Sequence, residues 1–311
     1  MGDAVKLLSV VEMPDRVLDR FRARTSLIQA RLEEAANIQP DAVLCSIRPY
    51  RFDRPAIEAL PGSVKAIATY SVGYDHIDLS AAADRGIAVF NTPGVLADAV
   101  ADAALLLILG AARRVTESVA LLREGRWTGW SPGQLIGLGL GGRTLGIFGM
   151  GNIGRRIAQR ARAFGMQIAY YDQGEVAGED ARFYSDPRKL IADSDVVVLA
   201  WPSTPETRYF IAADTLALAK PTMVLVNIGR GDLVKDDDLI AALRDGRIFA
   251  AGLDVFDNEP NIHPGYLGLP NAFLLPHTGS STWEARVAMA DILLDAMETH
   301  AAGGKPANRI A

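Results

Sequence analysis

Thr144-Leu145-Gly146-Ile147-Phe148-Gly149-Met150-Gly151-Asn152-Ile153-Gly154, with Asp172 downstream, is the stretch on which the reading of the chain turns. Residues 144–148 form a short apolar run of strand character, and a helical pattern covers 153–164. A second strand pattern, 167–171, ends at Asp172, 18 residues past Gly154. Strand, G-x-G-x-x-G turn, helix, strand and acid in this order form a dinucleotide-binding fingerprint. Gly149 permits the tight turn, Gly151 lets a pyrophosphate touch the backbone, and Gly154 lets the helix pack on the sheet. The helix N-terminus offers free N–H groups and a positive dipole end to the same phosphates, and Met150, Asn152 and Ile153 are counted with the glycines as cofactor-binding. Asp172 should accept hydrogen bonds from ribose hydroxyls and repel a 2′-phosphate. It is followed by Gln173-Gly174-Glu175 rather than by arginines, so NAD is expected over NADP. The competing reading is a glycine turn in an α/β protein that binds nothing.

The same alternation extends outward. Further strand patterns fall at 5–11, 42–47, 64–69, 88–90, 196–200, 223–227, 249–253 and 272–275, with helical stretches between most of them. Nearly all-apolar strands alternating with helices predict α/β architecture with doubly wound parallel sheets covered on both faces. Residues 96–122 predict one long Ala/Leu-rich helix, suited to an interdomain hinge or a dimer interface. Residues 125–142 carry seven glycines and two tryptophans and predict a loop leading into a new domain. Ser281-Thr282-Trp283-Glu284 has the form of a capping box for a last helix running to about residue 302.

Composition narrows the class. The chain has 311 residues, 49% apolar and 22% charged, which fits about two globular domains. Its 32 Lys+Arg against 37 Asp+Glu give a net charge of −5, contrary to a nucleic-acid surface. Cys45 is the one cysteine, so no intrachain disulfide or Cys-based zinc cluster is expected. The histidines show no metal-ligand spacing, and no metal is expected. Met1-Gly2-Asp3-Ala4-Val5-Lys6 lacks a signal-peptide pattern and the Ser/Thr at position 6 that myristoylation needs. The longest apolar run, 103–112, is too short for a bilayer. A cytoplasmic protein with neither membrane nor nucleic-acid partner is expected.

Four more blocks carry a resemblance. They are Ser71-Val72-Gly73-Tyr74-Asp75-His76-Ile77-Asp78, Asn227-Ile228-Gly229-Arg230-Gly231-Asp232-Leu233-Val234, Leu253-Asp254-Val255-Phe256-Asp257-Asn258-Glu259-Pro260 and Pro276-His277-Thr278-Gly279-Ser280. Together with the glycine turn, and in this order, they resemble the D-isomer-specific 2-hydroxyacid dehydrogenases over nearly the whole chain. The resemblance implies a Rossmann NAD domain, residues 96–282, inserted into a flavodoxin-like substrate domain, residues 1–95 and 283–311. It also implies a homodimer.

Reduction of a 2-keto acid needs a carboxylate clamp, a polarised carbonyl and a proton source. Arg230, between two glycines after a buried strand, can make paired charge-assisted bonds, or be a plain surface arginine; the resemblance assigns it to substrate. His277 is the expected acid/base and a substrate contact, with Glu259 on its other ring nitrogen. From spacing alone Glu259 is as well read as a solvated loop carboxylate. The resemblance gives the Val72 and Gly73 amides to the substrate carboxylate, where an ordinary tight turn is the alternative. It gives Asp254 to the nicotinamide carboxamide and lays Pro202 and Thr207 along the dinucleotide. His263 is read as a loop element, His76 as orienting its turn, and His300 as exposed. Position 152 is Asn where many relatives have Arg; Arg155 either supplies the missing charge or faces solvent. Arg48 and Arg51 follow a strand where relatives line the substrate tail, and Trp130 either closes the site or packs its loop.

Residues 71–76 and 127–132 look most like the glyoxylate/hydroxypyruvate reductase branch, which often uses NADPH. The expected activity is NAD-dependent reduction of such an acid to the D-2-hydroxy acid. The alternatives are another substrate on the same scaffold (a keto-sugar acid, phosphoglycerate or phosphite) and a non-catalytic NAD-sensing partner protein.

Overall fold

The computed structural model describes residues 4–311. The reading of Met1, Gly2 and Asp3 as free of targeting signals lies outside them. The chain divides into two compact units, Met1–Leu96 with Ser281–Ala311, and Ala97–Ser280.

The first unit is a five-stranded sheet of β1 (Lys6–Ser9), β2 (Ser26–Gln29), β3 (Ala42–Cys45), β4 (Ala66–Thr69) and β5 (Ala88–Phe90). The order is β2-β1-β3-β4-β5 and every pairing is parallel. This is the flavodoxin-like order, with the strand order reversing between β1 and β3. β3 and β4 are buried along their whole length, as strands covered on both faces must be. Helices α1 (Asp15–Arg24), α2 (Ala35–Ile38), α3 (Arg54–Glu58) and α4 (Leu79–Asp84) connect them. The chain end returns to this sheet: Ile310 N–H donates to Val89 O at 2.9 Å beside an antiparallel bridge from Arg309 to Phe90.

The second unit begins with α5 (Ala97–Ala112) and α6 (Val115–Arg123). One helix was expected over 96–122. It breaks at Arg114, which takes a left-handed φ of 55° and chelates Glu117 through two bonds of 2.7 and 2.6 Å. Gly110 of α5 packs into the unit's own core, where most of the helix's alanines are also buried. A Cβ on Gly110 would lie 2.3 Å from the Phe273 ring, and one on Gly252 2.8 Å from Leu107 O.

The seven-stranded sheet comprises β6 (Thr144–Phe148), β7 (Gln167–Tyr171), β8 (Arg182–Phe183), β9 (Val196–Leu199), β10 (Val224–Asn227), β11 (Ala250–Leu253) and β12 (Ala272–Leu274). The order is β12-β11-β10-β9-β6-β7-β8, wholly parallel. Strand order reverses between β6 and β9, so the ligand crevice of a doubly wound sheet falls beyond their C-terminal ends. Helices α7 (Asn152–Ala163), α8 (Pro187–Asp193), α9 (Ala213–Leu216) and α10 (Asp236–Arg244) cover the sheet. The last helix, α11 (Trp283–Ala301), belongs to the first unit. Its cap is Thr282, whose Oγ1 accepts from Ala285 N–H at 3.2 Å, not Ser281, whose Oγ accepts from Arg286 at 2.9 Å. Among the described residues no helix is long and apolar enough to cross a membrane.

Candidate active site

The glycine turn opens directly from β6. Gly149 has a φ of 97°, and a Cβ there would sit 2.9 Å from Ala200 O at the end of β9. Gly154 is tighter still: its Cβ would lie 2.0 Å from Gly149 O and 3.3 Å from Ile147 Cγ2. These two glycines therefore press α7 onto the turn and strand. Gly151 differs, because a Cβ there would meet no described atom within 4 Å. Its bareness is not needed by the protein's own packing, which fits a surface kept clear for a ligand's phosphates. Gly151 is the N-cap of α7, whose first-turn N–H groups have no partner within the helix. The donor set and the open cradle fit a dinucleotide.

Asp172 ends β7 beside this turn. Its carboxylate accepts from Met150 N–H and from Gln173 N–H, both at 2.8 Å. Arg155 is engaged by Glu179 at 3.1 Å. Pro202 and Thr207 lie in the loop after β9, closed by Thr207 Oγ1 donating to Pro202 O at 2.9 Å. Trp201 in the same loop meets Phe148, Tyr171 and Phe210 edge-on, with ring centroids 4.9 to 5.5 Å away. Its indole N–H is buried without a hydrogen-bond partner among the described residues.

Three strand-end loops meet in the same unit to build the second part of the site. Asn227 closes β10 and brackets the next turn: its amide donates to Arg230 O at 2.8 Å and accepts from Gly229 N–H at 3.1 Å. Arg230 is half-buried, and its Nη1 donates to Gly229 O at 2.9 Å. The turn is wedged between neighbours. A Cβ on Gly229 would lie 2.9 Å from Trp201 O, and one on Gly231 1.9 Å from the Phe256 carbonyl carbon.

His277 follows β12 with a left-handed φ of 54°. Such a conformation costs a non-glycine residue about 1–3 kcal/mol and persists only where the surroundings over-determine it. Asp254 supplies that constraint. Its carbonyl accepts from His277 N–H at 2.8 Å, and its carboxylate from Thr278 N–H at 2.7 Å and Gly279 N–H at 2.8 Å. Burial pushes the Asp254 carboxyl above the usual carboxylate range, against the pull of these two amides. Glu259 Oε2 lies 2.7 Å from His277 Nδ1, while its Oε1 accepts from Phe256 N–H at 2.8 Å. The carboxylate is thus fixed at both oxygens, and of the two ring nitrogens it is Nδ1 that it engages.

Val72 and Gly73 lie in the first unit, in the turn after β4. Ser71 Oγ donates to Gly73 O at 2.6 Å and sits 2.7 Å from Thr69 Oγ1, which is 3.2 Å from His76 Nε2. His76 is buried and ties the turn to its strand. His263 caps the 264–266 turn, accepting from Gly265 N–H at 3.0 Å, and approaches Asp237 at 3.2 Å. His300 is half-buried rather than exposed, edge-on to Phe90 at 5.5 Å. Arg48, Arg51 and Trp130 are exposed. Among the described residues no cluster of three or more His, Cys, Asp and Glu side chains is arranged to hold a metal.

The sequence missed Asn227 and the anchoring work of Asp254. An Asn at a strand end and an acid between apolar runs were both visible, but only the fold shows which amides they meet.

The family model for the D-isomer specific 2-hydroxyacid dehydrogenase NAD binding domain matches residues 105–279. A glycerate dehydrogenase of Hyphomicrobium methylovorum is 42% identical over 310 residues, covering 94% of this chain and 95% of that protein. A glyoxylate reductase of Thermococcus litoralis is 43% identical over 267 residues, 84% of this chain and 80% of the relative. The NADPH-dependent glyoxylate/hydroxypyruvate reductase of Sinorhizobium meliloti, solved with NADP and malonate, superposes with a TM-score of 0.89 at 35% identity over 99% of this chain and 97% of that one. On sequence and fold alike, the chain belongs to the D-isomer-specific 2-hydroxyacid dehydrogenase family.

Proposed function

We propose that the chain reduces a small 2-keto acid of the glyoxylate/hydroxypyruvate type to its D-2-hydroxy acid, using NAD as its nucleotide. The observation that carries this is the 2.7 Å contact between His277 Nδ1 and Glu259, in loops against which the Arg230 turn is wedged. An acid/base and a planar cation held on one rigid platform suit an α-keto carboxylate. The nicotinamide, when bound, supplies the hydride.

The chain's own residues do the rest. Arg230 offers forked donors to carboxylate and carbonyl oxygens, drawing electron density toward the carbonyl oxygen. The Val72 and Gly73 amides take the carboxylate. His277 Nε2 gives its proton to the oxygen that becomes the hydroxyl, and takes it back in the reverse direction. Glu259 keeps Nδ1 occupied, so that exchange is confined to Nε2. Gly149, Met150, Gly151, Asn152, Ile153 and Gly154 cradle the pyrophosphate, with Pro202 and Thr207 alongside and Asp254 toward the nicotinamide. Asp172 favours NAD, because a carboxylate beside the Met150 amide is a poor neighbour for a 2′-phosphate.

A homodimer is proposed from the exposed apolar side chains of Leu106, Val119, Leu122, Trp127, Trp130 and Ile136, clustered in one part of the sequence. A cytoplasmic setting is proposed from the lone reduced Cys45.

The test is loss of reduced-nucleotide absorbance with glyoxylate, hydroxypyruvate, pyruvate and 2-ketogluconate, using NADH and NADPH separately, for wild type and His277→Ala. NADH oxidation with one acid, abolished in the variant while NADH still binds, is the expected result. NADPH preference would overturn the role of Asp172. NADH binding with no turnover of any acid would overturn the substrate class.

A further inference from the structure

We infer that Asn91, backed by Asn308, is a positioning residue that aims the two amide donors of the Val72–Gly73 turn at the substrate carboxylate. The inference rests on the substrate reading above. In a trans peptide the C=O and the following N–H point in opposite directions. The cis bonds are Arg48–Pro49 and Glu259–Pro260, so the peptides joining 71 to 72 and 72 to 73 are trans. Whatever holds the carbonyls of Ser71 and Val72 therefore sets the directions of the Val72 and Gly73 N–H groups.

Both carbonyls are held by the segment that follows β5. Thr92 N–H donates to Ser71 O at 3.0 Å, and Asn91 Nδ2 donates to Val72 O at 2.9 Å. The two amides consequently point the same way, away from residues 91–92, as a paired anion receptor requires. Asn91 is itself fixed from behind: Asn308 Nδ2 donates to Asn91 O at 2.7 Å, and Asn91 N–H reaches Asn308 O at 3.4 Å. The final residues of the chain thus buttress the turn through one intermediate side chain.

Asn91 is a poor choice for stability alone. It is 5% exposed, and its Oδ1 is buried with no hydrogen-bond partner among the described residues. A buried amide with half its capacity unused costs more than an apolar side chain of similar size. Its orientation has one sense, because turning the amide over would set Oδ1 against Val72 O. The group is explained by what its Nδ2 does to the turn.

The test compares wild type, Asn91→Ala, Asn91→Asp and Asn308→Ala. Readouts are the KM and kcat for glyoxylate, the NADH dissociation constant and the melting temperature. Misaiming a donor to a charged group raises KM for the keto acid about ten- to hundredfold. Asn91→Asp, which sets an oxygen against Val72 O, raises it at least as far as Asn91→Ala. Asn308→Ala, one step removed and serving if the Asn91 variants fail to fold, raises KM less. In each case NADH affinity stays unchanged. An unchanged KM, or KM and NADH affinity degrading together with melting temperature, overturns the inference. Amide resonances in the wild type separate the two layers. If Val72 and Gly73 shift on titration with oxamate while the Asn91→Ala KM is unchanged, only the clamp is wrong. If neither amide shifts, the substrate reading falls with it.

Discussion

Replacing Gly231 by alanine should cost the enzyme more than any other single methyl group in the second unit outside the glycine turn. The added Cβ would lie 1.9 Å from the Phe256 carbonyl carbon, 2.0 Å from its oxygen and 2.3 Å from Asp257 N. All three are backbone atoms, which no rotamer change can move aside. Restoring ordinary contact at 3.4 Å requires the Arg230 turn and the 256–257 backbone to part by about 1.5 Å. Glu259 hangs from that backbone through Phe256 N–H, so the shift separates Arg230 from the His277–Glu259 pair. A misplacement of about 1 Å at a reacting centre costs about a hundredfold in rate. The overpacking itself costs about 1–3 kcal/mol of stability. The expected result is a kcat/KM for glyoxylate lowered about a hundredfold, a melting temperature lowered by several degrees and near-normal NADH affinity. Gly268→Ala is the matched control, since a Cβ there meets nothing within 4 Å. Steady-state kinetics and calorimetry on both variants decide. A Gly231→Ala enzyme with wild-type kcat/KM would refute the coupling between the loops.

Gly154→Ala sets a methyl 2.0 Å from Gly149 O and should weaken NADH binding by deforming the turn, read by nucleotide fluorescence; unchanged affinity would contradict the packing role. The Cys45 thiol is fully buried and pushed up to about 12, so the native protein should resist a thiol reagent at about pH 8 and react only in denaturant; prompt native labelling would contradict that burial. Burial also holds the Asp254 carboxyl high, so from about pH 3.9 upward, until its folded-state value is passed, the native state keeps a proton that the unfolded chain has lost. This group's contribution to stability therefore falls as pH rises through that window. Asp254→Asn removes that slope, and denaturant titrations across the window showing identical slopes in both proteins would contradict the assignment.

The ten expected strands are all present because each keeps a mostly apolar run with buried positions, even β5 and β12 at sheet edges. The two that escaped, β2 and β8, are edge strands with half-exposed or exposed positions, such as Ser26 and Arg182, and give no such run. The helix over 96–122 was misjudged because Arg113 and Arg114 suit a helix by propensity. The helix breaks where Arg114 adopts a left-handed angle and chelates Glu117 three residues on, a local choice that propensity does not report. The chemically distinctive site residues were legible by type. Arg155 was not: its partner Glu179 comes from a loop whose position only the fold sets.

Gly229-Arg230-Gly231 shows most directly why the supports escaped. Read as sequence, two glycines around an arginine suggest a mobile loop. In the fold they do the opposite. Gly229 admits the Trp201 carbonyl and Gly231 admits the Phe256 backbone, so the arginine is gripped from both sides by loops distant in sequence. The missing side chains are space for a neighbouring backbone, not freedom for their own. The same inversion applies in the glycine turn, where Gly154 is closed by Gly149 O while Gly151 alone remains open. Within this turn it is Gly151 whose side-chain space no described protein atom fills. A sequence can state that each position lacks a side chain; whether backbone or ligand uses the gap is decided by strand ends that only the folded sheet brings together.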